Sequence, residues 1–173
     1  MFPEVIDARM LKRIEQTGLL KKGQLEQLHK EKITSEEPMT ELILKHEFMS
    51  DVQLISFLAA ELKCASINPN HFLPQEEVIG LLPITFAYKH RVLPIAKHLG
   101  TLTIAMENPT DIMLIDDIKA ITNMRVRPAI TLTREMNIAL KRFFPQAEAA
   151  ADSSSEETIQ ELVRIVQEQK NSP

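Results

Sequence analysis

Cysteine is nearly absent. Cys64 is the single one in 173 residues, so neither an internal disulfide nor a multi-cysteine zinc site can form. A secretory leader is missing from the first ten residues, MFPEVIDARM, which lack its basic and then apolar layout; with the lone thiol this points to a cytoplasmic compartment. Long apolar runs are missing too. The longest, near Leu54 to Ala60, is interrupted by Ser56 and falls far short of the ~20 residues that span a bilayer, so no direct membrane insertion is expected. Charge of one sign is scarce: the formal net charge is -4, and Lys21/Lys22, Lys30/Lys32 and Arg125/Arg127 are only short basic pairs. Nucleic acid is therefore not an expected partner.

What the chain does have is an ordinary apolar content of 44%, at a length where one domain buries about 70% of its unfolded surface. Residues 1–63 carry helical spacing. Met10, Leu11 and Ile14, then Leu25 and Leu28 after a Gly18/Gly23 break, form one helix pair. A segment capped by Ser35 with Met39, Leu42 and Ile43, and one opened by Ser50 with Val52, Leu54, Ile55 and Leu58, form a second pair. An offset of 29 residues lays Met10 on Met39, Ile14 on Ile43, Leu20 on Met49 and Leu25 on Leu54, which suggests an internal duplication.

The connector Cys64 to Pro74, CASINPNHFLP, follows a short extended segment and marks a boundary. In residues 64–145 the period changes to two. Val92 to Lys97 and Leu102 to Met106 alternate across a His98-Leu99-Gly100 turn, as an antiparallel hairpin does. Thr110 is the expected cap of a helix with Ile112, Ile115, Ile118 and Ile121 on its inner face, Met124 to Ile130 is a third strand, and Thr133 caps a last helix. The expected fold class is therefore α+β: a helical subdomain, then a small three-stranded sheet with flanking helices. Residues 146–155, QAEAAADSSS, have a linker composition. Residues 156–173 form an amphipathic tail whose stripe, Ile159, Leu162, Val163 and Val166, is a candidate partner-docking face.

The side chains supply no catalytic constellation. Gly18 and Gly23 have the outer spacing of a phosphate-binding loop, but Gln24 and Leu25 stand where a lysine and a hydroxyl are required. The five histidines make no pair at a metal-ligand spacing. The acid pairs Glu36/Glu37, Glu76/Glu77, Asp116/Asp117 and Glu156/Glu157 are sequence neighbours, which diverge on a helix and cannot act together as acid and base. Cys64 beside Ala65 reads as a small buried hydrophobe. No catalytic residue, metal site or obligatory cofactor is expected, and the chain is not read as an enzyme.

Residues 9 to 144 resemble the N-terminal domain of type II secretion and type IV pilus assembly ATPases. The resemblance is carried by Leu82-Pro83, Ala87, Val92-Leu93-Pro94, the run Ala105 to Asp111 (AMENPTD), Asp116-Asp117-Ile118, Thr122 and Val126-Arg127-Pro128. It implies a docking module that links a motor to the inner-membrane assembly platform, peripheral to that membrane through a protein partner. The helical half is similar to paired motifs that bind cyclic di-GMP in some members, each beginning Arg-Leu-Gly with a central Gly and a terminal Gln. Arg9 and Gly18 match the first copy, whereas Leu11 replaces its early glycine and Lys32 its glutamine. In the second copy Pro38 stands for the arginine, Thr40 and Glu47 for the glycines and Glu61 for the glutamine. The favoured reading is a degenerate helical scaffold that keeps partner docking. The alternative is a cyclic di-GMP sensor using Arg9 and Gly18.

Overall fold

The computed structural model describes residues 4–145, with side chains from Arg9 onward. The elements begin with four helices, α1 (Glu4–Thr17), α2 (Lys22–Thr34), α3 (Met39–Lys45) and α4 (Asp51–Leu62). A two-residue strand β1 (Ala65–Ser66), a single 3-10 turn (Pro69–His71) and short helices α5 (Glu76–Ile79) and α6 (Ile84–His90) follow. Then come β2 (Val92–His98), β3 (Thr101–Met106), α7 (Ile112–Thr122), β4 (Arg125–Ile130) and α8 (Thr133–Phe143). This is the mixed helix and sheet class expected.

The sheet has the order β1-β4-β3-β2 and so gains a fourth strand over the three read from the sequence. Its extra strand, β1, pairs parallel to β4 through Ala65–Ala129 and Ser66–Ile130, and Ile67 N–H donates to the Ile130 carbonyl. Two residues are too few to show an alternating pattern, which is why periodicity reads this stretch only as extended. β2 and β3 form the expected antiparallel hairpin. Leu99 and Gly100, at φ +44° and +73°, are its two loop residues, the left-handed pair that a tight turn with matching twist requires. β3, α7 and β4 then make a parallel crossover.

β2 and β4, the two strands that flank β3, each carry a proline. Arg125 and Thr131 N–H donate to the Gly100 and Met106 carbonyls, so odd positions of β4 and even positions of β3 face each other across their ladder. By alternation Pro128 in β4 faces away from β3. Pro94, opposite Ile104, likewise faces away from β3. Each missing N–H therefore falls where no ladder bond to β3 is lost, and β1 begins beside Ala129, one residue past Pro128.

Two apolar clusters fill the molecule. Ile14, Leu28, Met39, Leu42, Ile43 and Leu54 centre the first, which also takes in Ile130 and Leu132 from the end of β4. Leu93, Leu102, Ile104 and Met106 centre the second, with Ile118 of α7 and Met136, Ala139 and Leu140 of α8. An ion pair joins the halves, Arg134 Nη1 to Asp51 Oδ2 at 3.3 Å.

Several helix boundaries differ from expectation. Ser50 does cap α4, its hydroxyl accepting from Gln53 N–H. Asp111 rather than Thr110 caps α7, accepting from Leu114 N–H. Thr110 instead donates to the Asn108 side chain in a turn. Pro38 and Leu132, neither with a side-chain cap bond, precede α3 and α8, while the Ser35 hydroxyl accepts from Glu37 N–H. The inner face of α7 is Leu114 and Ile118; Ile112 and Ile121 are exposed. At 3.6 residues per turn, positions nine apart lie about half a turn from each other, so these two isoleucines cannot share a face.

Candidate functional site

The two helix pairs repeat one backbone plan at the 29-residue offset. Gly18 after α1 has φ +66° and Glu47 after α3 has φ +53°. Lys21 N–H donates to the Gln24 side chain at 2.8 Å at the start of α2, and Ser50 N–H donates to the Gln53 side chain at 2.9 Å at the start of α4. Left-handed backbone is free for glycine and strained for other residues. The conformation needed at the motif's central glycine thus survives in the second copy, although a glutamate occupies it.

Arg9 lies exposed on α1, with Glu61 of α4 in its electrostatic range. Gly18 has open space where a Cβ would project. The remaining motif positions hold an acid, neutral residues and a lysine that is already engaged. Glu61, at the second terminal-glutamine position, is gripped by Arg13 through both carboxylate oxygens at 2.8 and 2.9 Å. The Arg13 hydrogen bonds hold its carboxyl below the usual carboxylate range, so an anionic group shares this surface with Arg9. Lys32, at the first terminal-glutamine position, donates to the Glu37 carbonyl at 3.0 Å. Pro38 caps α3 and brings no cation, and Thr40 is buried. The Arg13–Glu61 pair spans 48 residues, and no local pattern announces it.

Between the pairs, His46 Nε2 lies 2.6 Å from Glu31 Oε2 and the His46 ring stacks on Phe48. His46 lowers the Glu31 carboxyl, with Gln27 assisting. In the sheet half, Glu107 is buried at 5% exposure and is held by Arg91, whose Nε donates to it at 2.6 Å. The same guanidinium donates to Asn137 Oδ1 at 2.7 Å, tying the end of β3 to α8. This charged group is structural in its setting, since its partners are intramolecular.

The other candidate features take ordinary structural places. Gly18 ends α1 and Gly23 lies in the first turn of α2; no strand precedes them, and Gln24 and Leu25 serve the cap and the core. This is not phosphate-loop geometry. Asp116 and Asp117 are exposed on α7, the former paired with Lys119 at 2.8 Å. Cys64 is half-buried, and burial pushes its thiol up, away from the thiolate a nucleophile needs. Among the described residues no group of three or more His, Cys, Asp or Glu side chains could hold a metal ion, and no helix is long and apolar enough to cross a membrane. Ile159, Leu162, Val163 and Val166 lie outside the described residues.

Comparison with known proteins follows the same division of the chain. The fold is similar to that of MshE, solved with cdg, at a TM-score of 0.65 and 22% identity, covering 78% of this chain and 98% of that one. It is also similar to the N-terminal domain of XpsE, at a TM-score of 0.57 and 19% identity, covering 78% and 93%. The type IV pilus assembly ATPase PilB of Myxococcus xanthus (strain DK1622) is 25% identical over 104 residues, which are 60% of this chain and 18% of the relative. The chain thus spans less than a fifth of that curated relative. The MshEN domain model matches residues 60–150, so the sheet half carries the match and most of the helical half lies before it. With more than half of its length matched, the chain belongs to the MshEN domain family.

Proposed function

We propose that this chain is a non-catalytic docking and regulatory module of a type II secretion or type IV pilus-like machine. It works on the cytoplasmic side and binds a protein of the inner-membrane assembly platform. The observation that carries this reading is the second helix pair, which keeps the backbone plan of the repeat while Pro38, Glu47 and Glu61 take the ligand-recognising positions. A planar arginine fork and close backbone approach are what a phosphate or a guanine edge needs. Here those positions carry a residue without charge and two acids, one of them committed to Arg13. A scaffold retained without its recognition groups supports a role in which helix faces meet protein. The stripe Ile159, Leu162, Val163 and Val166 is the candidate docking face, and burying four aliphatic side chains contributes roughly 6–12 kcal/mol before ordering entropy.

A second reading, a cyclic di-GMP sensor, is favoured by the open left-handed Gly18, by exposed Arg9 and by the likeness to MshE solved with cdg. Calorimetric titration of the chain with cyclic di-GMP separates the two. Docking alone predicts no saturable heat, and saturable binding to the soluble cytoplasmic part of a platform protein that weakens when residues 156–173 are deleted. Saturable heat with the dinucleotide that disappears in Arg9→Ala would replace the docking reading with the sensor. The triple change Pro38→Arg, Glu47→Gly and Glu61→Gln should install dinucleotide binding if the backbone plan is still competent.

A further inference from the structure

Where the second helix pair meets the sheet half, polar side-chain atoms are buried without partners. Glu41, in the first turn of α3, has a fully covered Oε1 with no hydrogen-bond partner. The hydroxyl of the adjacent Thr40 is equally covered and unpartnered, as is that of Thr131 at the turn from β4 into α8. Thr131 N–H donates to the Met106 carbonyl, which places this turn beside the end of β3. Glu107 at that end and Arg134 on α8 both act electrostatically on Glu41. The apolar neighbours of Glu41 on α3, Met39, Leu42 and Ile43, share a core with Ile130 and Leu132.

The charges facing Glu41 are unevenly divided. Among the described residues Arg134 of α8 is the one cation acting on it, against Glu107 after β3, Asp51 at the start of α4 and Glu37 in the loop before α3. Arg134 is already engaged by Asp51 at 3.3 Å, Glu107 is held by Arg91 and Glu37 by Lys45 at 3.1 Å. Among the described residues an ionised Glu41 therefore finds no uncommitted counter-ion and must compete with Asp51 for Arg134. A covered carboxylate oxygen without a hydrogen bond is costly when charged and tolerable when neutral.

We propose that the Glu41 carboxyl is a proton-operated joint between the second helix pair and the sheet half. Protonated, it rests inside the junction and leaves Arg134 to Asp51; ionised, it draws Arg134 away and loosens α3 from the corner between β4 and α8. The proton comes from solvent and returns to it. Burial, followed by the surrounding acids, outweighs Arg134 and raises the carboxyl above its ordinary value. Folding then takes up a proton between the unfolded value near ~4.3 and the higher folded one. The junction is thus tightest in acid and loses stability as pH rises through that window.

The test compares the full chain with Glu41→Gln, which has the shape of the neutral acid, by thermal unfolding from pH 4.5 to 8.5. The variant should unfold higher than wild type at pH 8, by on the order of 2–4 °C, with the two profiles converging in acid. A variant midpoint equal to or below wild type at pH 8 overturns the joint. Carboxyl carbon NMR on the unsubstituted chain gives a second reading that does not depend on the variant folding. Glu41 should titrate above the ordinary carboxylate value, with the Arg134 side-chain Nε–H signal moving at the same midpoint. Titration of Glu41 at or below the ordinary carboxylate value, or an Arg134 signal that does not follow it, overturns the proposal as well.

Discussion

The first and second helix pairs have the same backbone and opposite fates. Both hold a left-handed residue after the first helix and a backbone N–H that donates to a glutamine side chain at the start of the second, 29 positions apart. The first pair keeps Arg9 and Gly18 and has Arg13 and Glu61 bridging its surface to α4. The second is wedged against the sheet half, with α4 running beside β1 and β4, and buries Thr40 where the motif has a glycine. Both copies bury the position of the motif's early glycine, Leu11 in the first and Thr40 in the second, so the difference between them lies in the second pair's added contact with the sheet half.

The largest effect that tests this contrast is in the core. Leu54→Ala, at a fully buried position, should cost about 2–5 kcal/mol by denaturant unfolding. Its counterpart Leu25→Ala, at 8% exposure on the first pair, should cost clearly less; equal losses would show that the pairs share the load evenly. At the left-handed positions the copies should respond with different signs. Gly18→Ala should lose about 1–2 kcal/mol of backbone conformational energy, since nothing crowds the new Cβ. Glu47→Gly should leave stability level or raise it by up to about 1 kcal/mol, and a loss there would mean that the glutamate side chain holds the turn.

A smaller effect is set by acid. Glu31 is depressed by its bond to His46, so its contribution is complete above the unfolded carboxylate value and is lost as pH falls through the lower folded one. Glu31→Gln should remove this acid limb from a midpoint-versus-pH profile, and an unchanged limb would assign it to another carboxylate. The smallest effect belongs to Glu61→Gln, which breaks an exposed pair on the first copy. Its midpoint should move little and by less in high salt. A large, salt-independent drop would make that pair a structural clamp between α1 and α4.

Much of this was legible wherever a pattern repeats. Met10 with Met39 and Leu25 with Leu54 disclosed the offset that the backbone obeys, and the alternation around Leu99-Gly100 disclosed the hairpin. Caps were less legible because several small polar residues compete at each boundary: Thr110 lies beside Asp111, and only the accepting carboxylate shows which one is used. On α7, counting isoleucines every third residue follows a line that winds around the helix, whereas Leu114 and Ile118, four apart, stay on one side. Contacts at long separation left no trace. Arg13 with Glu61, and Glu41 beside Arg134, depend on how layers stack, and a linear pattern of charges does not contain that information.

The prolines of β2 and β4 have a consequence for crowding. A sheet edge with a full row of donors and acceptors is a template on which a neighbouring chain can add a strand. Here Pro94 interrupts the donor row on one side and Pro128 interrupts it on the other, next to a strand only two residues long. Copies brought side by side at high concentration should therefore find little footing for strand-by-strand growth from this sheet.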